Sequence, residues 1–149
     1  MGELKPLPEH GSCFVCGTVN PHSIGIRWFV QSDNSIYGEV VLGLAQQGPP
    51  GAAHGGATAA LLDEAMGAAA WQAEYRVAAV NLNIDYLQPV PLDQKISVTG
   101  TVSLAHENKV RTFGQIRLEN GEVAVVGKGI YVKADHLFTD LLGDKGLIE

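Results

Sequence analysis

Two short runs in this 149-residue chain bring together residue types able to do chemistry. The first is His54-Gly55-Gly56, preceded by Gln47-Gly48-Pro49-Pro50-Gly51. The second is the acidic pair Asp63-Glu64, seven and eight residues beyond Gly56. If the glycines open a helix, the backbone N–H groups there lack intrahelical partners. No side chain keeps a ligand away from them, and the helix macrodipole adds partial positive charge. Such an end suits an oxygen that gains negative charge during a reaction. Asp63 lies almost two turns further on and faces the same way as Gly56. Its stripe of Ala59, Ala60, Met66, Gly67 and Ala70 is small and uncharged. Burying an isolated charge is costly, so a carboxylate in that stripe is either paired or functional. Taken singly, a Gly-Gly is often only a turn and an Asp-Glu pair often faces solvent. Their combination on one enclosed helix is what points to a site.

The elements that must position these residues follow from composition and periodicity. Residues 1–23, punctuated by Pro and Gly, read as an extended N-terminal arm. Residues 24–31 and 36–42 are strand-like, with hairpin-turn chemistry in the SDNS between them. From Gly56 to about Tyr75, Ala, Leu, Met and Glu dominate and proline is missing, a helix composition. Nearly all faces of this helix are small or apolar, so other structure should wrap it. Residues 78–87, 95–105, 110–119 and 122–133 return to strand patterns. In 95–105, Ile96, Val98, Val102 and Leu104 should share one face. Asn120-Gly121 predicts a type I′ hairpin turn, and the tail after Lys133 a short helical turn. The order is two strands, one helix and four strands, an α+β arrangement within a single domain of 1–149.

Bulk properties narrow the function. A net charge of −6 argues against nucleic acid or an anionic membrane surface as partner. The N-terminal residues lack the apolar stretch of a signal peptide, so a cytoplasmic location is the default expectation. Cys13 and Cys16 form a CxxC followed by turn residues Gly17, Asn20 and Pro21. Packing in a turn is the plainest reading of it. A zinc reading would recruit His10 and His22, and a redox reading lacks the strand-to-helix context of thioredoxin-like motifs. No metal or cofactor is expected for catalysis, since the histidines show no HExxH-like spacing.

HGGATAALLDEAMG, followed by VNLNIDYLQPVP, resembles the hotdog-fold acyl-CoA thioesterases of the phenylacetate-pathway and 4-hydroxybenzoyl-CoA type. CFVCG…NP and QGPPG are similar to a bacterial subgroup of that superfamily, and the likeness covers roughly residues 13–133. It implies a strongly curved antiparallel sheet wrapped around one long helix, and a dimer with sites at its interface. It also implies an acyl-CoA substrate, with Asp63 as general base or nucleophile and the Gly55 amide as oxyanion donor. His54 would fix the loop, and Gly56 would line the ligand approach. Glu64, projecting about 100° around the helix from Asp63, is a secondary candidate. Two positions depart from the pattern. Where some relatives carry an amide side chain, this chain has Gly48 with Gln47 beside it; where some carry Ser or Thr after the helix, it has Ala79. Asn81 and Asn83 are the polar candidates to compensate.

One geometric expectation concerns assembly. At about 1.5 Å rise per residue, Asp63 lies roughly 10–12 Å from the Gly55 amide, too far for one carbonyl carbon to meet both. Two antiparallel helices across a two-fold axis would pair Asp63 of one chain with Gly55 of the other, making a homodimer necessary. A dimer of dimers, a homotetramer, is the larger alternative. Competing functions are a hotdog hydratase or dehydratase, whose Asp-to-His motif is missing here, and a non-catalytic acyl-CoA-binding module, which would need no buried acid.

Overall fold

The structure is a computed structural model that describes residues 2–136; the expected helical turn of the tail lies largely outside those residues. The strands are β1 (Lys5–Pro6), β2 (Arg27–Val30), β3 (Ile36–Val41), β4 (Val77–Tyr86), β5 (Lys95–His106), β6 (Lys109–Arg117) and β7 (Val123–Lys133). They form one antiparallel sheet in the order β1-β2-β3-β5-β6-β7-β4. One long helix among the described residues, α1 (Gly55–Gln72), packs against β3, β4, β5, β6 and β7. A helix about 10 Å wide can touch that many strands only if the sheet curves around it. This is the α+β hotdog arrangement expected from the sequence.

Local chemistry explains α1. Thr58 is its only β-branched residue, and Thr58, Leu61, Leu62, Ala65, Met66, Ala69 and Ala70 are buried, the spacing of one helix face. His54 caps the N-terminus, its side chain accepting from the Gly56 N–H. At the other end Glu74 takes a positive φ of 71° and Tyr75 N–H donates to Ala70 O, closing the last turn.

A row of glycines sets how close α1 lies to the sheet. Gly100, Gly114 and Gly127 are direct cross-strand partners on β5, β6 and β7. A Cβ on Gly100 would sit 2.5 Å from the backbone carbon and oxygen of Ala65 and 2.9 Å from Met66 N. On Gly114 it would meet Leu62 and Met66 at 3.1 and 3.2 Å, and on Gly127 the tips of Met66, Ile84 and Leu62 at 3.2–3.4 Å. The Ala65–Met66 turn therefore rests on bare backbone. Around it Ile36, Ile96, Val98, Val110, Ile116 and Val125 complete a close-packed core.

Three details differ from the sequence expectation. The extended arm contributes a short strand beyond the six counted from the sequence: Lys5 and Pro6 pair with Val30 and Phe29. At the β6–β7 turn only Gly121 has positive φ (88°), and Gly121 N–H donates to Leu118 O while Leu118 N–H donates to Glu122 O. The loop is thus three residues with a type I turn and a glycine bulge rather than type I′. In β5 a register shift between Val102 and Leu104 turns Leu104 outward, 57% exposed, so it leaves the face shared by Ile96 and Val98.

The glycine row makes a graded prediction. Gly100→Ala meets helix backbone and should cost about 3 kcal/mol or more, whereas Gly127→Ala meets only side-chain tips and should cost about 1 kcal/mol. Urea denaturation of the two variants measures the difference; a neutral Gly100→Ala would show that α1 does not need this closeness.

Candidate active site

At the start of α1 the four leading N–H groups have separate fates. Ala57 and Thr58 N–H both donate to His54 O, at 2.9 and 3.3 Å. Gly56 N–H donates to His54 Nδ1 at 2.8 Å. Gly55 N–H has no hydrogen-bond acceptor among the described residues. One amide at the positive end of the helix is therefore left for a ligand. Its carbonyl is fixed from two sides: Gly55 O accepts from Tyr86 Oη at 2.9 Å and from Thr58 Oγ1 at 3.0 Å. The loop before it is folded tightly, because His54 N–H donates to Gln46 O at 2.7 Å and a Cβ on Gly48 would fall 2.8 Å from His54 Cα.

Asp63 is half-buried two turns along. Its Oδ1 accepts from Tyr131 Oη at 2.8 Å, and the same hydroxyl lies 2.9 Å from Asp63 O. Burial, reinforced by the neighbouring Asp63 charge and hydrogen bond, pushes the Tyr131 phenol well above the ordinary tyrosine range. Tyr131 therefore stays protonated and remains a donor to the carboxylate. Glycines make room for it: Gly129, where a Cβ would sit 2.6 Å from the Tyr131 ring, and Gly67 on α1, where a Cβ would sit 3.6 Å away.

Glu64 points to the opposite flank. Its Oε1 accepts from Cys13 Sγ at 2.8 Å and its Oε2 from Trp28 Nε1 at 2.5 Å. Both oxygens are thus engaged by the arm and β2. Between the arm and the start of α1 lies a groove of about 470 Å³, with Phe14, His22, Gln46, Gln47, His54 and Gly56 in its walls. Asp63 is not among the lining residues; it faces β7, so groove and carboxylate lie apart within one protomer.

Comparison with known proteins decides the family. The thioesterase superfamily matches residues 50–125, from the PPG loop into β7. The chain belongs to the thioesterase superfamily. It is 34% identical over 105 residues to the acyl-coenzyme A thioesterase THEM4 of Rattus norvegicus, a match covering 70% of this chain and 43% of that protein. The chain thus spans less than half the length of the curated relatives it matches. A solved thioesterase superfamily protein superposes with a TM-score of 0.80 at 33% identity, over 82% of this chain and 60% of the other. A hypothetical thioesterase protein of Streptococcus pneumoniae, solved with coenzyme A, shares the fold at a TM-score of 0.64 and 16% identity, over 66% of this chain and 79% of the other.

Within this thioesterase-superfamily fold the candidate residues separate into groups. His54, Gly55 and Gly56 sit together at the helix end, with Gln47 in the adjoining loop, its Oε1 accepting from Gly51 N–H at 3.0 Å. Asn81 and Asn83 do not join them. They pair across to Ile130 and Lys128, on the opposite sheet face from Leu82, Ile84 and Tyr86, whose partners Gly129, Gly127 and Val125 face α1. Ala79, by contrast, is the direct partner of Tyr131. Two residues escaped the sequence reading, Tyr86 and Tyr131. The GKGIY run was a usable signal, since glycines two and four residues before a tyrosine clear a path for its ring.

Replacing Tyr131 by Phe keeps the ring and removes the donor. Leaving the carboxylate unpaired should cost about 1–3 kcal/mol in urea denaturation. A pH test isolates the same contact. Above the ordinary tyrosine value of 10.0 the unfolded chain loses the phenolic proton while folded Tyr131 keeps it. Stability contributed by the protonated phenol should therefore decline as pH rises past about 10. The decline should be shallower in Tyr131→Phe; identical slopes would mean the hydroxyl is not held as described.

Proposed function

We propose that this chain hydrolyses an acyl-CoA thioester to the free acid and CoA. The observation that carries the reading is the uncommitted Gly55 N–H at the positive end of α1, beside a Gly56 N–H already closed off by His54. In this reading the thioester carbonyl oxygen accepts from Gly55 N–H, which stabilises the charge that develops on it. Asp63 takes a proton from water as water attacks the carbonyl carbon, or attacks that carbon itself. Collapse of the tetrahedral species breaks the C–S bond, and the CoA thiolate leaves and is protonated; on the second route water then hydrolyses the acyl-aspartyl anhydride, releasing the free acid and restoring the Asp63 carboxylate. Tyr131 keeps the carboxylate aimed, and His54 keeps the glycine loop in shape. Membership of the thioesterase superfamily supports the reaction class, and the coenzyme A held by the S. pneumoniae protein supports the substrate class.

The site is composite in this proposal. Eight residues of helix separate Asp63 from Gly55 by roughly 12 Å, so each needs its complement from a second chain. β4 ends the sheet, and Val80, Tyr86 and Leu87 on or beside it are 58%, 55% and 61% exposed. A long apolar edge strand is a template for pairing. Two such edges meeting antiparallel bring the flanks bearing Asp63 towards each other about a two-fold axis. Asn81 and Asn83, on the outer face of that edge, would then serve the partner or the polar arm of the substrate rather than the reacting carbonyl. Glu64, committed to Cys13 and Trp28, would support the groove wall and not touch the carbonyl.

Two variants and their mixture test the roles. Asp63→Asn should lower kcat at least about a hundredfold in a thiol-release assay. Gly55→Pro deletes the N–H at the first helical position, where proline is favoured, so helicity should persist while kcat falls about a hundred- to a thousandfold. Co-refolding the two inactive variants should restore about a quarter of wild-type activity, because half the dimers are mixed and each mixed dimer keeps one intact composite site. No recovery on mixing would place both groups in one subunit's site, and an unaffected Asp63→Asn would sink the assignment of the base.

A further inference from the structure

On the flank of α1 away from Tyr131, four side chains with metal-binding atoms converge. His10, Cys13, Cys16 and Glu64 each offer one ligand atom, and these atoms all lie within 4.8 Å of one another. We propose that they bind a zinc ion that fastens the N-terminal arm to α1.

The donor set favours zinc. Two cysteine sulfurs exclude the hard cations Mg²⁺ and Ca²⁺, which take oxygen ligands. Sulfur, imidazole nitrogen and one carboxylate oxygen make a four-coordinate set of the kind structural zinc sites use. With bonds of about 2.3 Å to sulfur and about 2.0–2.1 Å to nitrogen or oxygen, neighbouring corners of a tetrahedron lie roughly 3.3–3.8 Å apart. Cys16 Sγ and His10 Nδ1 are 3.8 Å apart. Binding requires both thiols to give up their protons, so two protons are released per zinc ion.

The surroundings are built for it. Residues 10–17 are wound tightly by Cys13 N–H to His10 O at 2.8 Å and Gly17 N–H to Cys13 O at 2.9 Å. Gly17 admits no side chain, since a Cβ there would lie 2.4–2.6 Å from Gly11 O, Cys13 N and Cys13 O. Val15 N–H donates to Cys13 Sγ at 3.4 Å and orients it. Trp28 Nε1 holds the second oxygen of Glu64, the usual outer support of a ligating carboxylate. Without an ion, half-buried Glu64 has only that indole and a weak thiol donor to offset the loss of water. A dication supplies what is lacking.

The consequence reaches the groove. Phe14 lies between the two cysteines, and Phe14 with His22 and Ser23 forms the arm side of the groove at the start of α1. An ion joining the CxxC turn to Glu64 would set that wall. All four positions of the ion would be filled by protein, so its role is structural. His22, which the zinc reading of the sequence recruited together with His10, stands in the groove wall and is not in the cluster; Glu64 takes the fourth place.

Metal analysis of the full chain purified without chelator should find one zinc per chain. Replacement by Co²⁺ should give thiolate-to-cobalt charge transfer and the strong visible bands of a tetrahedral ion. Cys13→Ser should lose the zinc, and Trp28→Phe, which keeps all four ligands, should weaken zinc affinity about ten- to a hundredfold. The proposal is overturned if the wild-type chain, refolded with zinc, binds well below one equivalent and shows no cobalt–thiolate band. Zinc that survives in Cys13→Ser overturns it too, as does a Cys13–Cys16 disulfide in protein purified without oxidant.

Discussion

The contact on which the rest of this structure depends is the seating of one helical turn directly on sheet backbone. Ala65 and Met66 lie over Gly100 so closely that a methyl group would fall 2.5 Å from helix backbone atoms. Gly114 and Gly127 continue the trough across β6 and β7. Brought this close, α1 fills the curve of the sheet with Leu61, Leu62 and Met66 among small alanines. That is why Asp63 and Glu64 can be half-buried on a helix that is otherwise almost wholly apolar. Each carboxylate is carried down to the level of the strands beside it, and each finds a partner there.

The two acids illustrate how a step of about 100° separates environments. Asp63 faces β7 and receives one strong donor, Tyr131, which leaves its remaining lone pairs accessible. Glu64 faces β2 and the arm, where Trp28 and Cys13 occupy both oxygens. A base or nucleophile needs an open lone pair, whereas a structural ligand needs its orientation fixed. In the proposed reaction that difference in environment favours Asp63 over its neighbour.

Much of the fold was legible because its signals are local. Proline-free Ala/Leu/Met composition marked α1 to within a few residues, and period-two alternation marked the long strands. What was not legible depends on partners distant in sequence. The bulge that turns Leu104 outward has no signature in an unbroken KISVTGTVSL alternation. The Asn120-Gly121 turn has the dipeptide of a two-residue loop, but the register at Arg117 and Val123 adds a residue. In the site, the helix end and Asp63 could be found from eight residues of spacing. Tyr131 is 68 positions from Asp63, and Glu64 is 51 from Cys13, so only the fold brings them together. The sequence reading weighed the CxxC against histidines nearby in the chain and had no means to see a helix carboxylate as the fourth member.

The two tyrosines absent from that reading tie the site to the sheet edge. Tyr86 on β4 holds the carbonyl of Gly55, and Tyr131 on neighbouring β7 holds Asp63. The register fixes them relative to one another, since Ala79 pairs with Tyr131 and Tyr86 with Val125 on the same two strands. Gly55 and Asp63 on α1 are therefore both referenced to one strand pair, and the outer member of that pair is the exposed edge. Any second chain that pairs with β4 acts on the strand that positions the Gly55 peptide. Assembly and the geometry of the helix end are then one problem, because the hydroxyl that orients the peptide sits on the strand that would carry the interface.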